Sequence, residues 1–448
     1  MSAGLSARSV RHTEGVDKVR ALQRVLYRSA KQNRTRRFHA LYDKVARSDV
    51  LWRAWLDVAA NAGTAGVDGV TVGAIADAGV AGVRAFLDEL ARQLESNVYR
   101  PQPLRRVHIP KPGKPGQTRP LGIPTVRDRV VMTAAKLVLE PVFEADFAAC
   151  SFGFRPKRSA HDAIDAIRVE VNRGRNWVLD ADIMACFDNI DHGALIAHVE
   201  RRVSDRNMLK LLWCWLRAGI FEGGVVSDVE AGTPQGSPIS PLLANIALHV
   251  LDEAWQSERS RIGVLVRYAD DLVVLCATRA KAEQGQQRVA AILAGLGLRL
   301  HPDKTRIADL HKGAQGFDFL GFHHRKVESW KWRGKYYLQS WPSDRAMNSI
   351  RAKIRDRTDR RHVGRSVEAV VADLNPVLRG WGIYFGRGNS AKKFSHIDSY
   401  VHMRLAMFAS TKHGLRGLNW QKRFSRSWMS DLGVYQLGGK VRYRTAHA

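Results

Sequence analysis

Cysteine is scarce and scattered, with four residues in 448, Cys150, Cys186, Cys214 and Cys276, and no C-x-x-C pair among them. That spacing supports neither a disulfide framework nor a zinc ribbon, and it points to a reducing compartment. Long apolar runs are missing as well. The stretch 264–277 comes nearest but is broken by Arg267, Asp270 and Asp271, and a bilayer span needs ~18 uninterrupted residues. The opening MSAGLSARSVRHTEG holds no apolar core of the kind a secretory signal needs. A soluble intracellular chain that enters no membrane is expected.

Acid is the third shortage. Against 71 Lys+Arg stand 43 Asp+Glu, a formal net charge of +28, and such a field attracts polyanions, nucleic acid above all. The excess is unevenly spread. Residues 1–60 carry 13 basic and 5 acidic side chains, residues 61–324 carry 32 and 30, and residues 325–448 carry 26 and 8. Basic flanks around a balanced centre suit a protein that grips a polyanion around a core needing carboxylates. Hydrophobic residues at 45% and charged residues at 25% are ordinary for folded domains, and the length allows two to four of them.

Val16, Val19, Leu22, Leu26 and Ala30 recur at helical spacing while Arg20, Arg24, Arg28 and Lys31 mark another face. With Arg36 and Arg37 of the RTRR run they make a candidate phosphate-binding stripe. The glycine-rich 61–71 reads as a linker into the central domain. Residues 99–124 read as a basic hairpin whose strands, 106–109 and 120–123, flank the turn PKPGKPG. Helices are expected at 127–143, 160–172, from about 192 and 207, and through 251. A buried strand is expected at 177–183, and a hairpin turns at the two aspartates of RIGVLVRYADDLVVLCAT. The mixture is α+β and lacks the regular βα repeat of a doubly wound nucleotide fold. Beyond 337, basic side chains interleaved with aromatics, among them Lys392, Lys393, Arg404 and Arg423, suit phosphate contact and base stacking.

Tyr268-Ala269-Asp270-Asp271 sits between two β-branched runs. Adjacent acids there need a cation, because burying them unpaired costs several kcal/mol. A second strand ends in Asp182. Carboxylates delivered by two strand ends make the oxygen-rich site that Mg²⁺ prefers, with water and substrate phosphates completing its shell, and two such ions are the recurring device of phosphoryl transfer.

Motif by motif the chain resembles the reverse transcriptases and maturases encoded by group II introns. The resemblance rests on GVDG (66–69), IPK and RPLGIP (109–111, 119–124), FGFRP (152–156), DIMACFDNIDH (182–192), GTPQGSPISPLLANI (232–246), YADD (268–271), HPDKT (301–305), FDFLGF (317–322) and LNPVLRGWGIYF (374–385), in that order. It implies a right-hand polymerase, with fingers and an antiparallel palm followed by an all-α thumb and maturase region. The expected divisions are 1–60, a basic helical extension; 61–325, fingers and palm; 326–411, thumb and maturase; and 412–448, a basic tail. Asp182, Asp270 and Asp271 are implied to hold two Mg²⁺ ions with the Ile183 carbonyl. Phe187 would exclude a 2′-hydroxyl. Lys111 and Arg119 would hold the triphosphate, Gln235 would line the nucleotide pocket with Gly236 close to the templating base, and Lys304 would stand near the pyrophosphate as a possible acid. Arg155 would touch template. Phe317, Phe319, Leu320 and Phe322 either grip the primer or pack a hairpin, and Trp381, Tyr384 and Phe385 read as thumb core. Asp180, Asp188 and His192 read as structural.

The implied partners are intron RNA, target DNA and deoxynucleotides, with no zinc, in a bacterial cytoplasm near the nucleoid. A nuclease with paired cysteines and an H-N-H site is not expected. Two other readings stay open: a domesticated relative in repair or phage defence, and an RNA-binding splicing cofactor that does not polymerise.

Overall fold

The computed structural model describes residues 13–110, 116–228, 231–413 and 423–442. Three sheets and a set of helices carry the chain. The central sheet has four antiparallel strands in the order Gly263–Tyr268, Asp271–Cys276, Trp177–Asp182, Arg306–Asp309. A second sheet pairs Leu104–Pro110 with Thr118–Ile123 and, in parallel, with Ile220–Glu222, whose hairpin partner is Val225–Ser227. The third orders Tyr336–Pro342, Phe322–Glu328 and Gly316–Phe319. The expected hairpins and helices are present within a few residues of their expected bounds. No helix among the described residues is long and apolar enough to cross a membrane.

Packing explains why helix Val126–Glu144 is apolar on nearly every side. The N-terminal helices Thr13–Gln32 and Ser48–Asn61 lie against it, and it belongs to the same core as the helix Ser240–Glu258 behind the central sheet. Its start is fixed by Thr125, whose hydroxyl accepts from the Asp128 amide. The loop 61–71 is pinned to this helix, which corrects the linker reading: Arg105 donates to the Ala65 carbonyl and Arg129 to the Thr64 carbonyl. Backbone carbonyls in a Gly-rich loop need partners, and two guanidiniums provide them, that of Arg129 buried.

A second core unites helices Asp344–Arg357, Val367–Phe385 and Ala391–Lys412. Phe424, Met429, Val434 and Leu437 are buried in it too. The segment expected as a separate tail at 412 therefore shares the thumb core through its described residues. A capping box at Ser159 and Asp162 starts the helix Ala160–Asn172, which packs with Phe317, Phe319 and Leu338 against the back of the central sheet.

The two halves meet at one turn. Tyr384 Oη donates to the Leu320 carbonyl at 2.9 Å, the Tyr384 carbonyl contacts His161 Nε2 at 2.6 Å, and the Phe322 ring lies 4.8 Å from Phe385. Phe317, Phe319 and Phe322 are buried, so packing is their role in this fold. Trp381, Tyr384 and Phe385 likewise pack with the thumb core. Truncating Phe322 to alanine is expected to cost about 3–5 kcal/mol, the usual range for a buried aromatic. Because the ring ties the 319–322 turn to the thumb core through Tyr384 and Phe385, separate thumb and palm transitions should emerge in denaturant melts followed by two probes; a single unshifted transition would contradict this.

Candidate active site

The YADD turn is held from behind. Between Tyr268 and Asp271 the hairpin is closed by Ala269 and Asp270, with Ala269 in the left-handed region at φ 57°. Left-handed backbone is unfavourable for an alanine and persists only where surroundings enforce it. Arg267 does so. Fully buried, its guanidinium makes a bidentate pair with Asp252 at 2.8 and 2.5 Å and donates to Ser151 Oγ at 2.9 Å, Asn245 Oδ1 at 3.0 Å and the Ala269 carbonyl at 2.9 Å. All five N–H groups of the fork are occupied. Burial works against the Asp252 charge, but the guanidinium outweighs it and holds the carboxyl down at about 2. Gly153 completes the support: a Cβ there would lie 2.5 Å from the Ala269 amide nitrogen, so only glycine lets the 150–155 loop lie on the turn.

In front of the turn, strand register places Asp182 directly opposite Asp271. Asp180 lies two residues back on the same face of its strand, where Arg306 reaches it at 3.3 Å. Four carboxylates thus share one corner. Burial, then Asp270, Asp182 and Asp180, push Asp271 up to about 7; burial against the pull of Arg306 lifts Asp180 to about 6. Asp270 is raised as well, by burial and Asp182, with Arg119 and Lys304 acting against the shift. Lys304 forms an ion pair with Asp182. A cleft of about 950 Å³ opens here, lined by Asp180, Asp182, Asp271, Lys304 and Leu320 on one side and by Arg345, Ser349 and Arg355 of the first thumb helix on the other. Another cavity, of about 890 Å³, lies between the N-terminal helix and the 144–158 loop. It holds none of the YADD acids.

The remaining predicted residues divide into those near this corner and those elsewhere. Ile183 follows Asp182 directly and is bridged to Leu300. Phe187 packs partly buried against the main core, and its carbonyl accepts from the Thr233 amide at 2.6 Å. Gln235 Nε2 lies 3.4 Å from both carboxylate oxygens of Asp188. Gly236, expected close to a templating base, lies beside the backbone of Gly122, whose carbonyl would be 2.8 Å from a Cβ. Lys111 is outside the described residues.

Arg155 is corrected. Its guanidinium is buried, bidentate to Glu144 at 2.9 and 2.7 Å and bonded to the Ala148 and Ser151 carbonyls, so nothing remains for a template. Arg404, half-buried, donates to the Thr358 hydroxyl and carbonyl, both at 3.0 Å. Lys393 lies 3.5 Å from Asp344. Arg20, Arg24, Arg28, Arg36, Arg37, Lys392 and Arg423 are exposed. His192 is buried with Nε2 at 2.7 Å from the Gly232 carbonyl, a structural contact.

Sequence reading missed Arg267, Arg345 and Arg355. The first was visible as a lone charge inside a β-branched run; the other two stand ten residues apart, with Asn348, Ser349 and Ala352 between them on the cleft-facing side.

Residues 109–324 match the reverse transcriptase (RNA-dependent DNA polymerase) family, and residues 347–428 match the maturase-specific domain of group II introns. Protein YkfC of Escherichia coli (strain K12) is 36% identical over 326 residues, 64% of this chain and 82% of that protein. The group II intron-encoded protein LtrA of Lactococcus lactis subsp. cremoris is 36% identical over 226 residues, 50% of this chain. The chain belongs to the group II intron reverse transcriptase and maturase family. It spans 37% of LtrA.

As a member, this reverse transcriptase is an RNA-directed DNA polymerase, and its family works with divalent metal ions. The corner fits such ions by its chemistry, since carboxylates forced up in pKa by one another are relieved by a cation. No three His, Cys, Asp or Glu side chains among the described residues close into a metal cage.

Two predictions follow from this geometry. Replacing Arg267 with methionine leaves Asp252 buried and unpaired, a loss of about 3–5 kcal/mol. Lysine keeps the charge but cannot make all five bonds, so Arg267→Lys should lower kcat roughly tenfold or more while primer–template Kd holds; equal kcat in a folded variant would free the turn from this residue. The pH prediction follows from the raised acids. Without divalent ions the native state keeps a proton on Asp271 that the unfolded chain has lost, so stability should fall as pH rises from the ordinary carboxylate range through about 7. Divalent metal must displace that proton, so the metal-induced rise in Tm should be larger near pH 8 than near pH 6, and Asp271→Asn should flatten the difference.

Proposed function

We propose that this reverse transcriptase serves a group II intron: it binds the intron RNA, assists its splicing, and copies it into DNA from a 3′ end supplied at the target during retrohoming, in a bacterial cytoplasm at the nucleoid. The observation that carries the reading is the corner itself, where Asp182, Asp270 and Asp271 converge from two neighbouring strands beneath a cleft whose far wall is a basic helix. A polymerase needs anionic groups for metal and cationic groups for the nucleic acid within one cleft, and few other activities do.

In this reading Asp182, Asp270 and Asp271, with the Ile183 carbonyl, hold two Mg²⁺ ions. When bound, such ions lower the pKa of the attacking 3′-hydroxyl and neutralise the departing pyrophosphate. The chain's own side chains do the rest. Arg119, with Lys111, takes the triphosphate of the incoming deoxynucleotide, and its charge already acts on Asp270. Lys304 neutralises Asp182 until substrate enters, then offers its ammonium to the leaving group. Phe187 lies under the sugar and leaves no room for a 2′-hydroxyl, and Gln235 is held near the pocket by Asp188. Exposed Arg20, Arg24, Arg28, Arg36, Arg37, Lys392 and Arg423 supply phosphate contacts for the RNA.

Primer extension on an RNA template, run beside RNA binding and a splicing assay on one preparation, tests the assignment. Asp270→Asn and Asp271→Asn should reduce cDNA synthesis to background while RNA affinity and splicing assistance persist. Retained extension by both variants would overturn the site. Absence of extension by the unaltered protein, with RNA bound, would favour a splicing cofactor that does not polymerise.

A further inference from the structure

The tip of the hairpin formed by Phe322–Glu328 and Tyr336–Pro342 has no part in the cleft. Trp330 is 96% exposed there, and Trp332 is 50% exposed. Tryptophan is among the most buried residues on average, so a nearly naked indole on a polar turn calls for an explanation. Residues 329–335 read SWKWRGK, which is three cations, two indoles and no acid. Glu328, next to them, is already engaged, accepting from the Gly334 amide at 2.6 Å.

The tip is built, not loose. Ser329 Oγ accepts from the amides of Lys331 and Trp332, both at 3.2 Å, and the Ser329 amide donates to the Lys335 carbonyl at 2.8 Å. Lys331 and Lys335 hold their ammonium groups 5.1 and 5.6 Å from the Trp332 ring centre, within cation–π range. Trp332 therefore fixes the cations, while Trp330 is left with its face open. A rigid turn pays little ordering entropy on binding.

We propose that this tip is a binding site for single-stranded RNA, in which Trp330 stacks on an unpaired base and Lys331, Arg333 and Lys335 meet the flanking phosphates. Charge complementarity selects the occupant: residues 329–335 carry three cations and no acid, and lie in the 325–448 region that carries 26 basic and 8 acidic residues. An aromatic face beside cations is the arrangement that binds unpaired nucleotides without reading sequence. Strand length places the site. Seven residues at ~3.4 Å each carry the tip roughly 20 Å from the Leu320 turn at the cleft, so it takes RNA outside the polymerising centre. The inference rests on the RNA-binding reading above and adds to it a contact remote from the metal corner.

Fluorescence anisotropy with the full chain tests it, using a labelled 20-nucleotide single-stranded RNA and a blunt RNA duplex of equal length across a salt series. Trp330→Ala should weaken single-strand binding about 5- to 100-fold, leave the salt slope and duplex affinity unchanged, and be rescued by Trp330→Phe. Replacing Lys331, Arg333 and Lys335 together by glutamine should flatten the slope of log K against log salt by roughly 2, at about 0.7 per phosphate. Primer extension on a short hybrid should be the same in all variants. Unchanged single-strand affinity overturns the proposal. So does an equal loss on duplex, or a loss confined to binding of anionic vesicles or to self-association in sedimentation, which would assign the tip to a membrane or a second copy. If the unaltered chain neither binds RNA nor extends a primer, the functional reading falls as well; if it does both and the tip variants match it, this inference alone falls.

Discussion

A single buried ion pair supports the chemistry of this protein. Arg267 and Asp252 are both fully buried, and an unpaired charge in either place would be prohibitively costly. The pair earns its position by what the guanidinium does with its remaining donors. One reaches Ser151, one Asn245, and one the Ala269 carbonyl, so three chain segments are registered against the residue that forces the two acids outward. Asn245 passes the constraint on through its own bond to the Gly153 carbonyl at 2.8 Å. The left-handed alanine, the close-packed glycine and the saturated arginine form one device. Removing any of them releases the turn.

The device works against electrostatics. Asp180, Asp182, Asp270 and Asp271 crowd one corner, and the shifts of Asp271 and Asp180 upward, to about 7 and about 6, express how poorly the fold tolerates them all as anions. Arg306 and Lys304 offset part of the repulsion by pairing with Asp180 and Asp182. What remains is an affinity for cations, which is what a phosphoryl-transfer site must have before substrate arrives. The opposite wall of the cleft carries Arg345 and Arg355, so one cleft has an anionic floor and a cationic wall.

Thumb and palm are joined where function requires them to be. The 319–322 turn borders the cleft through Leu320 and is held from the far side by Tyr384 and Phe385. A helix within the maturase-specific match therefore touches the wall of the cleft. The same hairpin carries the exposed indole at its other end.

Much of this was legible in the residues alone. The acids of YADD and Asp182 were recognisable because adjacent carboxylates at the ends of β-branched runs have no low-cost structural use. The hairpins and most helices followed from period and turn chemistry, and the basic flanks followed from charge counting. What the sequence could not show was which charges were already spent. Arg155 and Arg267 are chemically like Arg345 and Arg355 along the chain, and burial with a complete set of hydrogen bonds makes the first two structural, while Arg345 and Arg355 line the cleft. Likewise the linker at 61–71 and the tail beyond 412 were separate on paper and are joined to cores in space. Composition and period set what each segment can do locally; the partners that the fold brings together, from 2 residues away at Ala269 to 116 at Ser151, decide which donors are satisfied.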